Sequence, residues 1–209
     1  MQYNIADLYE SVADVVPERT ALVSGLSRYT FAELDAAANR VAHWMAERGV
    51  YAGQHVGLYL YNGEEYVIAM LAAFKLRAVP INVNYRYVAE ELAYLVRDAD
   101  LVVLFSQADL SEEVAGALGE GSKVHTVVWA GGAGRELPGV ETAPFADTTA
   151  HPNAGRGFGP RSGDDLYIVY TGGTTGMPKG VMWRQEDVFF AGLQGGRPGD
   201  DPVTAPEEV

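Results

Sequence analysis

The chain has 209 residues, a formal net charge of −13 and no cysteine. The length allows one large domain or two small ones with a real core, and the missing cysteines exclude disulfides and thiolate metal sites. The acidity, with no Lys/Arg cluster to offset it, argues against a nucleic-acid binder and for solubility. The longest uncharged apolar run, residues 66–74, is half of what a bilayer needs. The first ten residues show neither the basic nor the apolar region of a secretory signal. The expected location is therefore the cytoplasm.

From about residue 20 to 130, helix-like and strand-like segments alternate, which predicts an α/β fold. Residues 20–24 and 28–30 read as a short hairpin around Gly25. Thr30 and Glu33 form a capping box, T-x-x-E, opening a helix. Its Leu34, Ala37, Ala38, Val41 and Met45 recur at helical spacing, and Gly49 suits the position after its end. Residues 55–60 predict a strand. Asn62 with Glu65 predicts the cap of a second helix, with Val67, Met70, Leu71 and Phe74 on one face. Residues 79–83 read as a short strand, which Pro80 places at a sheet edge or at a strand start. Residues 90–97 read as a helix with Leu92, Leu95 and Val96 inward. The unbroken apolar run 101–105 predicts a strand covered on both faces. A helix at 109–118 and a strand at 124–129 follow.

Residues 131–165 read as a long Gly/Pro-rich connection, with 150–164 expected to be mobile. Residues 166–170 and 181–183 read as strands flanking a glycine-rich loop. A helix is expected from about Gln185 to Leu193. Residues 194–209 offer almost nothing to bury. The expected division is an α/β core at 1–130, the connection at 131–165, a strand–loop–strand–helix unit at 166–193, and a terminal loop at 194–209.

One segment suits phosphate chemistry: Tyr170-Thr171-Gly172-Gly173-Thr174-Thr175-Gly176-Met177-Pro178-Lys179-Gly180. Glycines let backbone N–H groups converge into an anion nest without a Cβ in the way. Threonine hydroxyls add donors, and Lys179 supplies a point charge for phosphate oxygens. Pro178 stiffens the backbone before that lysine. The spacing is not that of a Walker A loop, because Pro precedes the lysine and a strand pattern follows it. It is not the dinucleotide fingerprint G-x-G-x-x-G either. The plain alternative is a flexible hairpin turn.

The segment resembles the phosphate-binding signature of the adenylate-forming superfamily, [YF]-T-S-G-[ST]-T-G-x-P-K-G, with Gly172 at the usual serine. Residues 30–34, TFAEL, look like the family's entry into its first helix. Residues 73–87, AFKLRAVPINVNYRY, and 91–105, ELAYLVRDADLVVLF, are similar to two further family stretches. Two positions depart: Val88 stands where a capping threonine is common, and Gln185 stands at a usual histidine.

The resemblance implies a mostly parallel sheet flanked by helices, the first subdomain of the large N-terminal domain of these enzymes. It implies activation of a carboxylic acid with ATP and Mg²⁺ to an acyl-adenylate, then transfer to coenzyme A. Thr171, Gly172, Gly173, Thr174, Thr175 and Gly176 would cradle the phosphates. Lys179 would act catalytically on the leaving pyrophosphate, and Thr171 would approach the metal. The style of the motif is similar to that of bacterial fatty-acyl and steroid-side-chain CoA synthetases. The family's later motifs for adenine, ribose, hinge and C-terminal lysine are missing, so the chain reads as an N-terminal part that is inactive alone. In the full enzyme its sheet would pack on a sister subdomain. An adenylation domain loading a carrier protein, a non-catalytic fragment and homo-oligomer formation stay open.

The other candidates have plainer readings. His43, His55, His125 and His151 lack metal-ligand spacing. Glu64 and Glu65 suit the first turn of a helix, where acids favour the macrodipole. Asp164 and Asp165 read as turn residues. Trp44, Trp183 and Tyr85 read as packing.

Overall fold

The computed structural model describes residues 3–173, 176–197, 199, 201 and 203–206. Strands β1 (Thr20–Ser24) and β2 (Ser27–Thr30) form the expected hairpin. The other described strands are β3 (His55–Tyr59), β4 (Val79–Asn82), β5 (Leu101–Gln107), β6 (Thr126–Ala130), β7 (Glu141–Pro144), β8 (Leu166–Gly173) and β9 (Gly176–Arg184). They make one sheet in the order β7-β6-β5-β3-β4-β8-β9, parallel throughout except for the antiparallel β8–β9 pair. The helices are α1 (Ile5–Val15), α2 (Phe31–Glu47), α3 (Glu64–Lys75), α4 (Ala89–Asp98), α5 (Ser111–Ala117) and α6 (Phe145–Thr149). A short helix at Gln185–Asp187 continues as a π-turn over Val188–Gly192.

Alternation along the strands sorts the core into two layers. Val56, Leu58, Val103, Phe105 and Val128 pack with α2 and α3, while Ile81, Leu101, Leu104 and Val127 pack with α4 and α5. Covering on both faces explains why β5 reads as a continuous apolar run. No described helix is long and apolar enough to cross a membrane.

Local signals hold at α2. Thr30 Oγ1 accepts from the Glu33 N–H at 3.2 Å, and Glu33 Oε2 accepts from the Thr30 N–H at 2.9 Å. Gly49 has the left-handed φ of 80° that the chain needs just past the helix. The Asn62 cap does not form. The cap residue is Gly63, with no side-chain bond, and a Cβ there would sit 3.1 Å from the Glu65 carboxylate. The single apolar face expected on α3 is also incomplete. Ile68, Ala69, Ala72, Ala73 and Lys75 are buried beside Leu71 and Phe74, because α1 and α2 both pack on this helix.

Pro80 lies in an interior strand, not at an edge. Val79 and Val83 donate to the β3 side, to the carbonyls of Gln54 and Leu58 at 2.7 and 3.1 Å. The missing Pro80 donor therefore faces β8, and pairing with β8 begins only at Ile81. Three elements escape the sequence pattern: α1, and both β7 and α6 within the supposed connection. β7 closes one end of the sheet as a four-residue edge strand ending in Pro144. Its Glu141 pairs with Arg48 at 2.9 Å.

The segment at 150–164 is tied down, against the expectation of mobility. Lys75 is fully buried and donates to Glu10 of α1 at 2.5 Å and to Asp35 of α2 at 2.7 Å. Arg161 pairs with Glu10 at 3.0 Å and with Asp7, and its Nε donates to the Lys75 carbonyl at 3.1 Å. Arg156 reaches Asp35 at 2.9 Å and Asp14 at 2.8 Å. Asn39 donates to the Ala154 carbonyl at 2.9 Å. Three helices and the connection thus share one charge network. Burial alone would push the Glu10 carboxyl up, but hydrogen bonds from Arg161 and Lys75, with their charges, hold it below its usual 4.5.

Replacing one partner of a buried ion pair strands the others. Lys75→Met is expected to destabilise the fold by about 3 kcal/mol in urea unfolding. Arg135→Ala, which breaks an exposed pair with Glu112, should cost about 0–1 kcal/mol. Equal costs would contradict the network's weight.

Acid should act through the same network. The Glu10 contribution is complete above pH 4.5 and is lost as pH falls through its depressed folded value. Stability measured between pH 6 and 3 should therefore drop below about pH 4.5, and Glu10→Gln should flatten that drop.

Candidate functional site

The glycine- and threonine-rich segment is mostly strand. Pairing continues past the expected limits through Tyr170↔Gly180, Thr171↔Lys179 and Gly173↔Gly176. Thr174 and Thr175 lie outside the described residues. The expected strand-to-strand connection holds, but the loop is far shorter than its composition suggests. A nest of converging amides is not what Thr171–Gly173 and residues 176–180 form, because extended backbone points successive N–H groups to opposite sides.

The register slips between Thr171 and Gly173, so one residue of β8 faces two of β9. That bulge holds Pro178, which is buried, and proline without its N–H is tolerated at a bulge on an edge strand. Gly180 is demanded by packing. A Cβ there would lie 2.9 Å from the Tyr170 ring and 3.1 Å from Ile168. Gly172 has no such demand, since a Cβ would meet nothing within 4 Å. The serine usual in the resembling motif would fit there.

Thr171 and Lys179 stand directly opposite each other, so their side chains share one face of the hairpin. Both are exposed, and no described residue forms an ion pair with Lys179. Beside them, the Tyr170 hydroxyl donates to Asp98 of α4 at 2.7 Å. Burial and that hydrogen bond push the phenol well above its ordinary value, so it stays a donor. The arm therefore presents a hydroxyl and a cation with no ion-pair partner among the described residues, from a fixed aromatic base.

At its open end the hairpin is clamped by residues that sequence reasoning passed over. Asp165 is more than a turn residue. Its carboxylate accepts from Arg77 Nη2 at 2.8 Å, from Asn4 Nδ2 at 3.1 Å and from the Ser162 N–H at 3.1 Å. Gln185 is fully buried and accepts from the Ile5 N–H at 2.9 Å. A polar pair flanking two strands was the only sequence signal for this clamp.

The remaining candidates are structural. Glu64 and Glu65 do open α3, and bonds from Ser24 and Ser27 hold the Glu64 carboxyl below the ordinary range. His43 and His151 stack at 5.8 Å, and His151 meets Glu47 at 3.0 Å. His43 bonds the Gly155 carbonyl at 2.8 Å, so both rings hold the connection in place. His55 bonds the Ala99 carbonyl and His125 the Thr126 hydroxyl. No group of three metal-ligating side chains occurs among the described residues. Trp44 is buried under Arg48, and Tyr85 packs edge-on against Tyr61. On β9, Met177, Val181, Met182 and Trp183 are exposed, with Val181 and Trp183 on one face of the strand and Met182 on the other, and Phe190 and Leu193 beyond the strand are exposed too.

Comparison with known proteins places this geometry in a family. The family model described as AMP-binding enzyme matches residues 9–205. Over 190 residues the chain is 47% identical to a 3-oxocholest-4-en-26-oate–CoA ligase of Rhodococcus rhodochrous, covering 90% of this chain and 34% of that protein. It is 44% identical over 190 residues to a medium/long-chain-fatty-acid–CoA/3-oxocholest-4-en-26-oate–CoA ligase of Mycolicibacterium smegmatis, with the same coverage of 90% and 34%. The crystal structure of the anthranilate CoA ligase AuaEII in complex with anthranoyl-AMP superposes with a TM-score of 0.81 at 26% identity, covering 93% of this chain and 37% of that one. The chain thus spans about a third of the length of the relatives it matches. The mostly parallel sheet, the β8–β9 hairpin that carries the glycine- and threonine-rich segment, and a match over residues 9–205 together make this chain a member of the AMP-binding enzyme family.

Proposed function

We propose that the natural polypeptide carrying this sequence activates a carboxylic acid with ATP to an acyl-adenylate and pyrophosphate, and then passes the acyl group to coenzyme A. The observation that carries this reading is the exposed Lys179, with no ion-pair partner among the described residues, opposite Thr171 on a clamped hairpin. In this reading Thr171, Gly172, Gly173, Thr174, Thr175 and Gly176 hold the β- and γ-phosphates. The Lys179 ammonium offsets charge that develops on the departing pyrophosphate. Magnesium, when bound, would neutralise phosphate oxygens. The described residues hold no set of carboxylates for it, so a hydroxyl such as that of Thr171 beside the phosphates fits the metal's preference for oxygen and water. The acid is of the fatty or steroid-side-chain class, a reading supported by the names of the relatives. The reaction belongs in the cytoplasm, where ATP and coenzyme A are drawn from the same pool.

The apolar edge formed by Met177, Val181, Met182 and Trp183 belongs in this reading to a contact with the rest of the enzyme. Met182 is 69% exposed, more than a solvent-facing strand needs.

Two outcomes are expected. First, ATP–pyrophosphate exchange by the natural polypeptide should fall about 10- to 1000-fold in kcat with Lys179→Ala, while stability moves by no more than about 0.5 kcal/mol. Thr175→Ala keeps its backbone N–H and should lose less. The 209-residue chain alone should give no exchange. Normal exchange in a folded Lys179→Ala enzyme would refute the phosphate role. Second, the 209-residue chain should self-associate as concentration rises, and Met182→Lys should suppress this in sedimentation velocity. A monodisperse monomer at high concentration would remove the case for a covered edge.

A further inference from the structure

We infer that Gln185 and Asp165 are positioning residues for the phosphate hairpin, fixing its aim by tying both of its feet to the first turn of α1. The inference rests on the reading of the hairpin as the phosphate arm. The two residues flank the hairpin, Asp165 just before β8 and Gln185 just after β9. The Gln185 N–H donates to the Asp165 carbonyl at 2.9 Å, one step beyond the Leu166↔Arg184 pair. Their side chains then converge on two adjacent residues. Asp165 takes the Asn4 amide at 3.1 Å, and Gln185 takes the Ile5 N–H at 2.9 Å. Asn4 caps α1 through its own Oδ1, which accepts from the Ala6 N–H at 2.9 Å. Arg77, next to the start of β4, completes the clamp with a two-pronged bond to Asp165.

The clamp matters because the outer part of the arm has little other support, although Ile168 sits in the core and Tyr167 meets Phe74. β4 pairs with β8 only at Ile81↔Ile168 and Asn82↔Val169. Beyond Val169, β8 has β9 on one side and no described strand on the other. Among the described residues, the Tyr170–Asp98 bond is its last side-chain tether to the body. From Val169 to Gly173 the arm reaches about 13 Å, so a tilt of about 10° would move the tip by about 2 Å. A displacement of about 1 Å at reacting atoms can cost roughly 100-fold in rate.

Gln185 also shows a sign of selection for direction over packing. It is fully buried, and its Nε2 has no hydrogen-bond partner among the described residues. A leucine would fill similar space with no orphaned donor, so the amide is an expensive choice for packing alone. What leucine lacks is an acceptor for the Ile5 N–H, and hydrogen bonds are directional where apolar contacts are not. The Gln185 orientation is fixed, since only its oxygen can accept from that N–H. A histidine ring nitrogen could accept the same bond.

The test uses the natural polypeptide with Gln185→Leu and Gln185→His. For Gln185→Leu, kcat for ATP–pyrophosphate exchange should fall about 10- to 100-fold, while KM for the acid stays within about threefold. Gln185→His should restore kcat to within about threefold of the parent. Amide hydrogen exchange is read in parallel. Thr171, Gly172 and Gly180 should exchange at least about tenfold faster in Gln185→Leu, while β5 amides keep their protection. Unchanged kcat and unchanged arm exchange would overturn the inference. So would loss of protection spread evenly over β5, or a histidine variant as impaired as the leucine one. If the parent protein shows no pyrophosphate exchange, the phosphate reading fails, and the hydrogen-exchange arm still decides whether Gln185 aims the hairpin.

Discussion

The Lys75 ammonium sits in the interior with no exposed surface, and an unpaired charge in such a place would be very costly. Its presence forces Glu10 and Asp35 inward beside it, and these acids then require cations of their own. Arg156 and Arg161 answer that requirement from 121 and 151 residues away in sequence, at Asp35 of α2 and Glu10 of α1. The demand for neutrality therefore dictates the path of the connection across α1, α2 and α3. It also decides where β8 begins, because the chain reaches Asp165 four residues after Arg161. Electrostatic closure in the helical layer thus precedes, in the logic of the fold, the placement of the β8–β9 hairpin at one end of the sheet.

Such a network carries less stability than its count of bonds suggests. Each ion gives up hydration, and well-packed apolar residues in its place are often as stable. What it supplies is selectivity among arrangements. An apolar contact between α1 and α3 could slide by a turn, whereas Lys75 meets Glu10 and Asp35 in one register only. Asn39 and the His43–His151 stack extend the same logic along the connection, each using a polar side chain of α2 to hold a specific part of residues 151–158.

The sequence made the fold class legible where the signal is local. The Thr30–Glu33 box spans three residues, and the apolar run of β5 needs no partner to be recognised. It also made the candidate segment at 170–180 legible, because glycine, threonine and lysine declare their chemistry by type. Pairings between distant residues were not legible. Asp165 looks like any turn acid until Arg77 and Asn4 arrive, 88 and 161 positions away. The strand identity of residues 171–173 and 176–180 was hidden for a different reason. Glycine is a poor strand former in isolation, and only the antiparallel partner, with Gly180 making room for Tyr170, makes extended backbone the stable choice. β7 and α6 were masked by the Gly- and Pro-rich residues that surround them.

The two ends of the sheet are unlike. At one end β7 is four residues long, stops at Pro144 and carries Glu141 locked to Arg48, all features that discourage a further strand. At the other end β9 is nine residues long and flanked by apolar side chains. Strand addition is therefore possible at one end only. Growth by edge pairing needs a free edge on each side of every added unit, and this sheet has one. Two copies meeting through β9 would close on themselves in a two-fold pair with nothing left to extend. The blunt strand at β7 thus acts as a terminator. A pairing at β9, with the rest of the polypeptide or with a second copy, would therefore find no second long edge among the described strands to continue from.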